Sequence, residues 1–373
     1  MRRLALAVAL VSACVAAGTA AAAPPTVEAR AWLVEDAASG DVLAQHDATT
    51  RMPIASITKL MTVLVALQHH KLSDVVTVNP LVTTVGQESV DLEAGEQLTV
   101  LDLVKAALIQ SANDAADALA LSVEPSFAQF AVLMNAKARK LGLRDSHFVR
   151  PDGLDAPGEY SSARDVTRLA RVAMRNPVIR RTVAESTDTI PGGRVLHTWN
   201  DLLGVFPGVI GVKTGHTSLA GWSQVAAVEN GGLTIYATIL GSPSRAQRDA
   251  DLERLLTYGT DQYRVITAID AGRTYARVVL PYGKSPLALV ARTRQLDVVR
   301  VGGPLTERVL APAVAALPVH RGQQLGRVQI WSGDRLLGSR TLVAARSVSR
   351  PGLVSRIGWY ATRTVHHVLA FFP

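Results

Sequence analysis

The chain has 373 residues, 48% of them hydrophobic, which suits a catalytic body plus a smaller module and excludes a disordered chain. Its formal charge of +8 hides two bodies of opposite sign: residues 24–263 carry 21 Lys and Arg against 27 Asp and Glu, and residues 264–373 carry 16 against 4. The single cysteine, Cys14, rules out internal disulfides and thiolate metal clusters.

Met1-Arg2-Arg3, the apolar run from Leu4 to Val15 and the small residues up to Ala23 read as a secretory signal over residues 1–23, too short for a good membrane span. Val11-Ser12-Ala13-Cys14 resembles a lipoprotein processing site, but the apolar run continues past it, so the cysteine is read as filler of that run. Once the signal is removed the mature chain has no thiol. Export also removes nucleic acid as the natural partner of the basic half and points to anionic lipid headgroups or wall polymers.

Ala31-Trp32-Leu33-Val34 and Val42-Leu43-Ala44, joined through Ser39-Gly40-Asp41, read as a hairpin. From Ser56 to Leu67 the apolar residues take helical continuity, so Ser56-Ile57-Thr58-Lys59 opens a helix. A second helix, Leu98 to Ile109, ends before Ser111-Ala112-Asn113. Residues 114–141 are largely helical with a break at Pro125, and residues 142–162 form a long irregular loop before a helix from Ala163 to Met174. Val209 to Thr214 is a strand that ends in Lys213-Thr214-Gly215. Trp222 to Val228 and Leu233 to Leu240 form a hairpin, and a closing helix runs from Gln247 to Tyr258.

Residues 24–263 therefore make an α+β domain, an antiparallel sheet with helices on both faces. Residues 264–350 shift to short alternating segments punctuated by Gly and Pro, a small β-sandwich module. Residues 351–373 return to helical spacing. Leu353, Ile357, Ala361, Val365, Val368, Leu369 and Phe372 share one face and basic residues decorate the other, the pattern of an amphipathic helix lying on an anionic membrane surface.

The three short motifs carry chemistry together. An offset of three residues puts Ser56 and Lys59 one helical turn apart, where a neutral amine can take the serine proton. Ser111 is placed to relay a proton to a leaving group, and Asn113 to orient Lys59 and a substrate carbonyl. Lys213 and Thr214 suit a carboxylate, Gly215 lets a substrate backbone approach the strand edge, and the N–H of His216 pairs with that of Ser56 as an oxyanion hole. The histidines lack ligand spacing, so no metal and no cofactor is expected.

The segments Ala55-Ser56-Ile57-Thr58-Lys59-Leu60-Met61-Thr62, Gln110-Ser111-Ala112-Asn113-Asp114-Ala115 and Gly211-Val212-Lys213-Thr214-Gly215-His216-Thr217 resemble the low-molecular-weight D-alanyl-D-alanine carboxypeptidases, the group of penicillin-binding proteins 5 and 6. His147-Phe148 and Gly153-Leu154-Asp155-Ala156-Pro157-Gly158 add to the likeness, which covers residues 30–263. The resemblance implies a penicillin-binding, serine β-lactamase-like fold and removal of the terminal D-alanine from peptidoglycan stem pentapeptides. It implies an acyl-enzyme on Ser56 with Lys59 as base and β-lactams as covalent inhibitors; the leader and the terminal helix, by their own patterns, put the protein on the outer face of the cytoplasmic membrane. The resemblance also marks Arg248, just before the closing helix, as a second carboxylate-binding group. The span from Ser56 to Ser111 is shorter than in the best-known members, so the loop around residues 70–97 is expected to differ.

Three rival readings share parts of this pattern. A class A β-lactamase needs a Glu-x-x-x-Asn loop, but Glu159 is followed at that offset by Ala163 and Glu185 by Thr189. A D,D-endopeptidase acting on wall cross-links would use the same machinery. A silent wall- or membrane-binding scaffold would have no need of the whole set.

Overall fold

Ala31–Asp36 (β1) is buried along its whole length, and it lies inside a five-stranded antiparallel sheet with Val42–His46 (β2), Val209–Thr217 (β3), Gly221–Asn230 (β4) and Leu233–Ser242 (β5). The spatial order is β2-β1-β5-β4-β3. In β5 every residue from Ile235 to Ser242 is buried. Successive side chains point to opposite faces, so such a strand needs cover on both. Helices Ala163–Ala173 and Arg245–Asp261 both pack against β5 and supply it.

Lys59–His69 (α1) is buried from Lys59 to Ala66. A helix walled in on all sides has to be apolar all round, and Leu60, Met61, Val63, Leu64 and Val65 meet that demand. Asn113–Val123 (α2) packs along it. The break at Pro125 separates α2 from Phe127–Leu141, whose cap Ser126 accepts a hydrogen bond from the Gln129 N–H. Two small hairpins went unread in the sequence: Val75–Thr77 with Gln97–Thr99, and Thr187–Ile190 with Arg194–His197.

The computed structural model describes Val11–Cys14 and residues 23–369; most of the leader expected over residues 1–23, and Phe372, lie outside the described residues. The chain divides into two compact units between Asp261 and Gln262, two residues before the boundary expected from composition.

The second unit is an all-β module with its own core, in which Ile269, Leu287, Leu289, Leu317, Val328 and Leu342 are buried. Its main sheet runs Leu305–Leu310, Gln324–Ser332, Arg335–Ala344, Leu287–Ala291, Thr274–Val278, with Val11–Cys14 paired to the outer edge of Leu305–Leu310. Tyr263–Ile269 and Gln295–Arg300 form a separate ribbon. Of these strands, Tyr263–Ile269 and Leu305–Leu310 carry too little alternation to be read in advance. Helix Leu353–Leu369 follows, and its Leu353, Val354, Ile357 and Tyr360 are exposed. Among the described residues no helix is long and apolar enough to cross a membrane.

Candidate active site

Ser56 lies in a single 3-10 turn, Ala55–Thr58, that runs into α1 at Lys59, so the motif enters the helix through a tighter turn than the α-helical opening expected. Lys59 Nζ still reaches Ser56 Oγ at 2.7 Å. The turn begins at Ala55 with φ +49°, a left-handed value for a residue that has a side chain. Two glycines let neighbouring segments close on it. A Cβ on Gly215 would stand 2.6 Å from the Ile54 carbonyl oxygen, and one on Gly153 would stand 2.2 Å from that of Ala55.

Lys59 has no exposed surface. Its Nζ donates to Ser56 Oγ, to Asn113 Oδ1 at 2.7 Å and to the Asp152 carbonyl at 2.7 Å. Burial lowers its pKa to about 8, against the opposing pull of Asp152, Asp117, Glu88 and Glu159. Asn113 opens α2, with its backbone N–H on the Glu88 carbonyl and its Nδ2 toward the Gly86 carbonyl, which fixes the amide so that Oδ1 faces the lysine.

Ser111 ends the π-helical turn Ala106–Gln110 in a left-handed conformation, φ +67°. There its Oγ accepts a hydrogen bond from Lys213 Nζ at 2.8 Å, and the same Nζ donates to the Thr214 carbonyl at 3.0 Å. Burial first, and then the charge on Lys59, hold the Lys213 amine well below the ordinary lysine value. Two buried amines thus each face one serine hydroxyl.

These groups back a cleft of about 300 Å³ lined by Ser56, Ser111, Thr214, Gly215, His216 and Arg248, together with Gln87, Glu88, Trp199 and Trp222. Lys59, Asn113 and Lys213 lie behind that lining. The His216 ring stacks on Trp222, its partner in the β3–β4 register, with centroids 4.0 Å apart. Among the described residues no cluster of His, Cys, Asp and Glu is arranged to hold a metal ion.

Arg248 sits in the first turn of helix Arg245–Asp261, not ahead of it, and the helix starts two residues before the Gln247 expected. Its guanidinium is buried and donates to Asp201 Oδ2 and Asp249 Oδ1, each at 2.8 Å. Asp251 instead takes Arg254 and Gln247. The arginine therefore reaches the cleft already paired.

Several residues of the site carried no sequence signal. Asp152 contributes a backbone carbonyl, which any residue would supply. Glu159 and Asp117 look like ordinary loop and helix acids until the fold buries them. Gln87 and Glu88 come from the loop of expected divergence, and Trp199 from the stretch between Met174 and Val209, to which no element was assigned.

The D-alanyl-D-alanine carboxypeptidase family, Peptidase_S11, matches residues 18–244 of this sequence, a stretch that holds every candidate residue except Arg248. The chain belongs to this family. The carboxypeptidase is a serine-type hydrolase, similar to the D-alanyl-D-alanine carboxypeptidase DacC of Escherichia coli (strain K12) at 31% identity across 92% of this chain and 90% of that one. Its fold is similar to penicillin-binding protein 5 from Haemophilus influenzae, with a TM-score of 0.65, 25% identity, and 88% of this chain and 100% of that chain covered. It is also similar to penicillin-binding protein D2 from Listeria monocytogenes in an ampicillin-bound form, with a TM-score of 0.58, 30% identity, and 62% and 98% coverage.

Proposed function

We propose that the carboxypeptidase removes the terminal D-alanine of peptidoglycan stem pentapeptides through an acyl-enzyme on Ser56. The observation that carries this reading is the environment of Lys59 Nζ. Two of its three partners, Asn113 Oδ1 and the Asp152 carbonyl, can only accept hydrogen bonds. A neutral amine has two N–H bonds and one lone pair. With both N–H bonds held by those acceptors, the lone pair faces Ser56, the one partner able to donate a proton.

Lys59 takes the Ser56 hydroxyl proton as Oγ bonds to the carbonyl carbon of the scissile amide. The N–H groups of Ser56 and His216 receive the oxyanion. The leaving D-alanine nitrogen gains a proton by way of Ser111 as the C–N bond breaks, and water then hydrolyses the ester. The Thr214 hydroxyl, Lys213 and Arg248 hold the terminal carboxylate, and Gly215 admits the peptide backbone to the strand edge. β-Lactams offer the same carbonyl and carboxylate and acylate Ser56, in keeping with the ampicillin-bound relative.

The protein acts outside the cytoplasm, attached peripherally to the outer face of the membrane. The basic composition of residues 264–373, the leader-like start and the exposed apolar residues at the beginning of helix Leu353–Leu369 support that placement; anionic lipid is the partner and nucleic acid is not.

The test is mass spectrometry of the mature protein, intact and digested, after brief exposure to penicillin and to a D-Ala-D-Ala pentapeptide. A penicilloyl adduct on Ser56 with one D-alanine released is expected. Folded protein that gives neither adduct nor release refutes the reading and leaves a wall- or membrane-binding scaffold.

A further inference from the structure

The loop between Leu141 and Ala163 has no helix and only isolated bridges, yet it supplies three close contacts to the Ser56–Lys59 turn and α1. The Pro151 carbonyl accepts from the Thr62 hydroxyl at 2.6 Å, the Asp152 carbonyl accepts from Lys59, and Gly153 packs on Ala55. A segment without ladder hydrogen bonds holds such positions only if other groups tie it down.

Two ties exist. The Asp152 carboxylate is clamped by Arg150, with Nε to Oδ1 at 3.0 Å, and accepts the Leu154 N–H at 2.9 Å. The second tie is Glu159. Its Oε2 accepts the N–H of Arg150 at 2.8 Å and of Val149 at 3.3 Å, while Oε1 accepts from the Thr58 hydroxyl at 3.1 Å. Thr58 immediately precedes the lysine. One buried carboxyl group thus joins the catalytic turn to the backbone just ahead of the Asp152 carbonyl.

Granting the role proposed above for Lys59, we infer that Glu159 is a positioning residue: it sets the direction of the Lys59 lone pair by fixing the Asp152 carbonyl relative to the Ser56–Lys59 turn. Glu159 is absent from the cleft lining, and both its oxygens are occupied by Thr58, Val149 and Arg150. That placement separates it from a water-activating glutamate of the β-lactamase kind. Its three donors are uncharged, and burial raises its pKa to about 7 in spite of them. A carboxyl group so placed costs the fold stability unless its hydrogen bonds hold something in register.

The experiment uses the full chain with benzylpenicillin and reads the limiting acylation rate and the half-saturating concentration separately, with circular dichroism confirming the fold. Glu159→Ala is expected to lower the limiting rate by about 100-fold, the scale of a 1 Å misplacement, and to move the half-saturating concentration by less than about 3-fold because no cleft contact is lost. Glu159→Gln is expected to recover the rate to within about 5-fold, since its amide oxygen accepts from Arg150 and its NH₂ group donates to Thr58. Thr58→Val is expected to lower the same rate by about 10-fold, and the double variant Glu159→Ala/Thr58→Val to fall little below Glu159→Ala alone, as two ends of one tie should.

Several results overturn the inference. One is a folded Glu159→Ala that acylates at the wild-type rate; another is a defect confined to the half-saturating concentration. A Glu159→Gln as impaired as the alanine variant, or trapped as a long-lived acyl-enzyme, assigns the residue a charged or water-activating role instead. If Glu159→Ala does not fold, an unchanged rate in Thr58→Val is decisive against it. Absence of a Ser56 adduct in the wild-type protein defeats the underlying reading of the site, whereas a normal wild-type adduct beside an indifferent Glu159→Ala defeats the Glu159 role alone.

Discussion

The state of Lys59 gives the sharpest test of the proposed chemistry. With its pKa lowered to about 8, about a tenth of the molecules hold the free amine at pH 7 and nearly all do at pH 10; an unperturbed lysine would hold a few hundred times less at pH 7. The second-order rate of Ser56 acylation should rise about tenfold per pH unit from pH 5 to 7, bend near pH 8 and level above pH 9. Lys59→Arg keeps a cation that does not give up its proton; it should lose about 10³-fold or more in rate and flatten the slope. The assay is quenched-flow labelling with intact-mass detection from pH 5 to 10, with circular dichroism at every pH. Because the folded pKa lies below the unfolded one, the unfolded chain binds more protons between about pH 8 and 10.4, so this residue's contribution to stability rises with pH there. A fall in rate across that window therefore cannot come from Lys59 unfolding the site. A flat profile, a midpoint near pH 10 or an active Lys59→Arg would refute the amine-base assignment.

Further outcomes follow from other parts of the fold. Gly153→Ala places a Cβ against the Ala55 carbonyl at φ +79° and should cost about 3 kcal/mol or more in urea unfolding. Gly231→Ala, at φ +56° with open space, should cost only about 1 kcal/mol; equal losses would remove the close-approach argument. Asp117 is a buried residue of α2, neither of its carboxylate oxygens has a hydrogen-bond partner among the described residues, and burial lifts its pKa to about 8. A folded pKa above the unfolded one means stability is lost as pH rises from about 4 to 8. Asp117→Asn should therefore gain in Tm over the wild-type protein on going from pH 5 to pH 8, and a constant difference would contradict it. Deleting residues 352–373 should abolish binding to vesicles of anionic lipid and leave Ser56 acylation unchanged, because Ser56 belongs to the unit ending at Asp261; retained vesicle binding would move the membrane role to the β module.

The motifs were legible because their chemistry needs particular side chains at short spacing: Ser56 with Lys59, Ser111 with Asn113, Lys213 with Thr214. The sheet and α1 were legible because strands buried on both faces and a helix buried all round leave long apolar runs in the sequence. What stayed hidden depends on distance in sequence. The Asp152 carbonyl is backbone, and Glu159 gains its meaning only when Thr58 folds against it from 101 positions away. The start of helix Arg245–Asp261, where Arg248 lies, was read two residues late because the helix begins with polar residues that show no apolar period. Most residues of the strands Tyr263–Ile269 and Leu305–Leu310 are exposed or half-exposed, so selection of residue type by burial is weak along them.

The hydrogen bonds that assemble the site join Lys59 to Asn113 over 54 positions, Lys59 to Asp152 over 93 and Ser111 to Lys213 over 102. Contacts of such long range close late, after most of the loop entropy has been spent. A partly folded chain would hold Ser56 and Lys59 as neighbours yet lack the acceptors that aim the amine. The acylation proposed for Ser56 should therefore count finished molecules only, and a radiolabelled or fluorescent penicillin chased through refolding would time the closing of the last long loop.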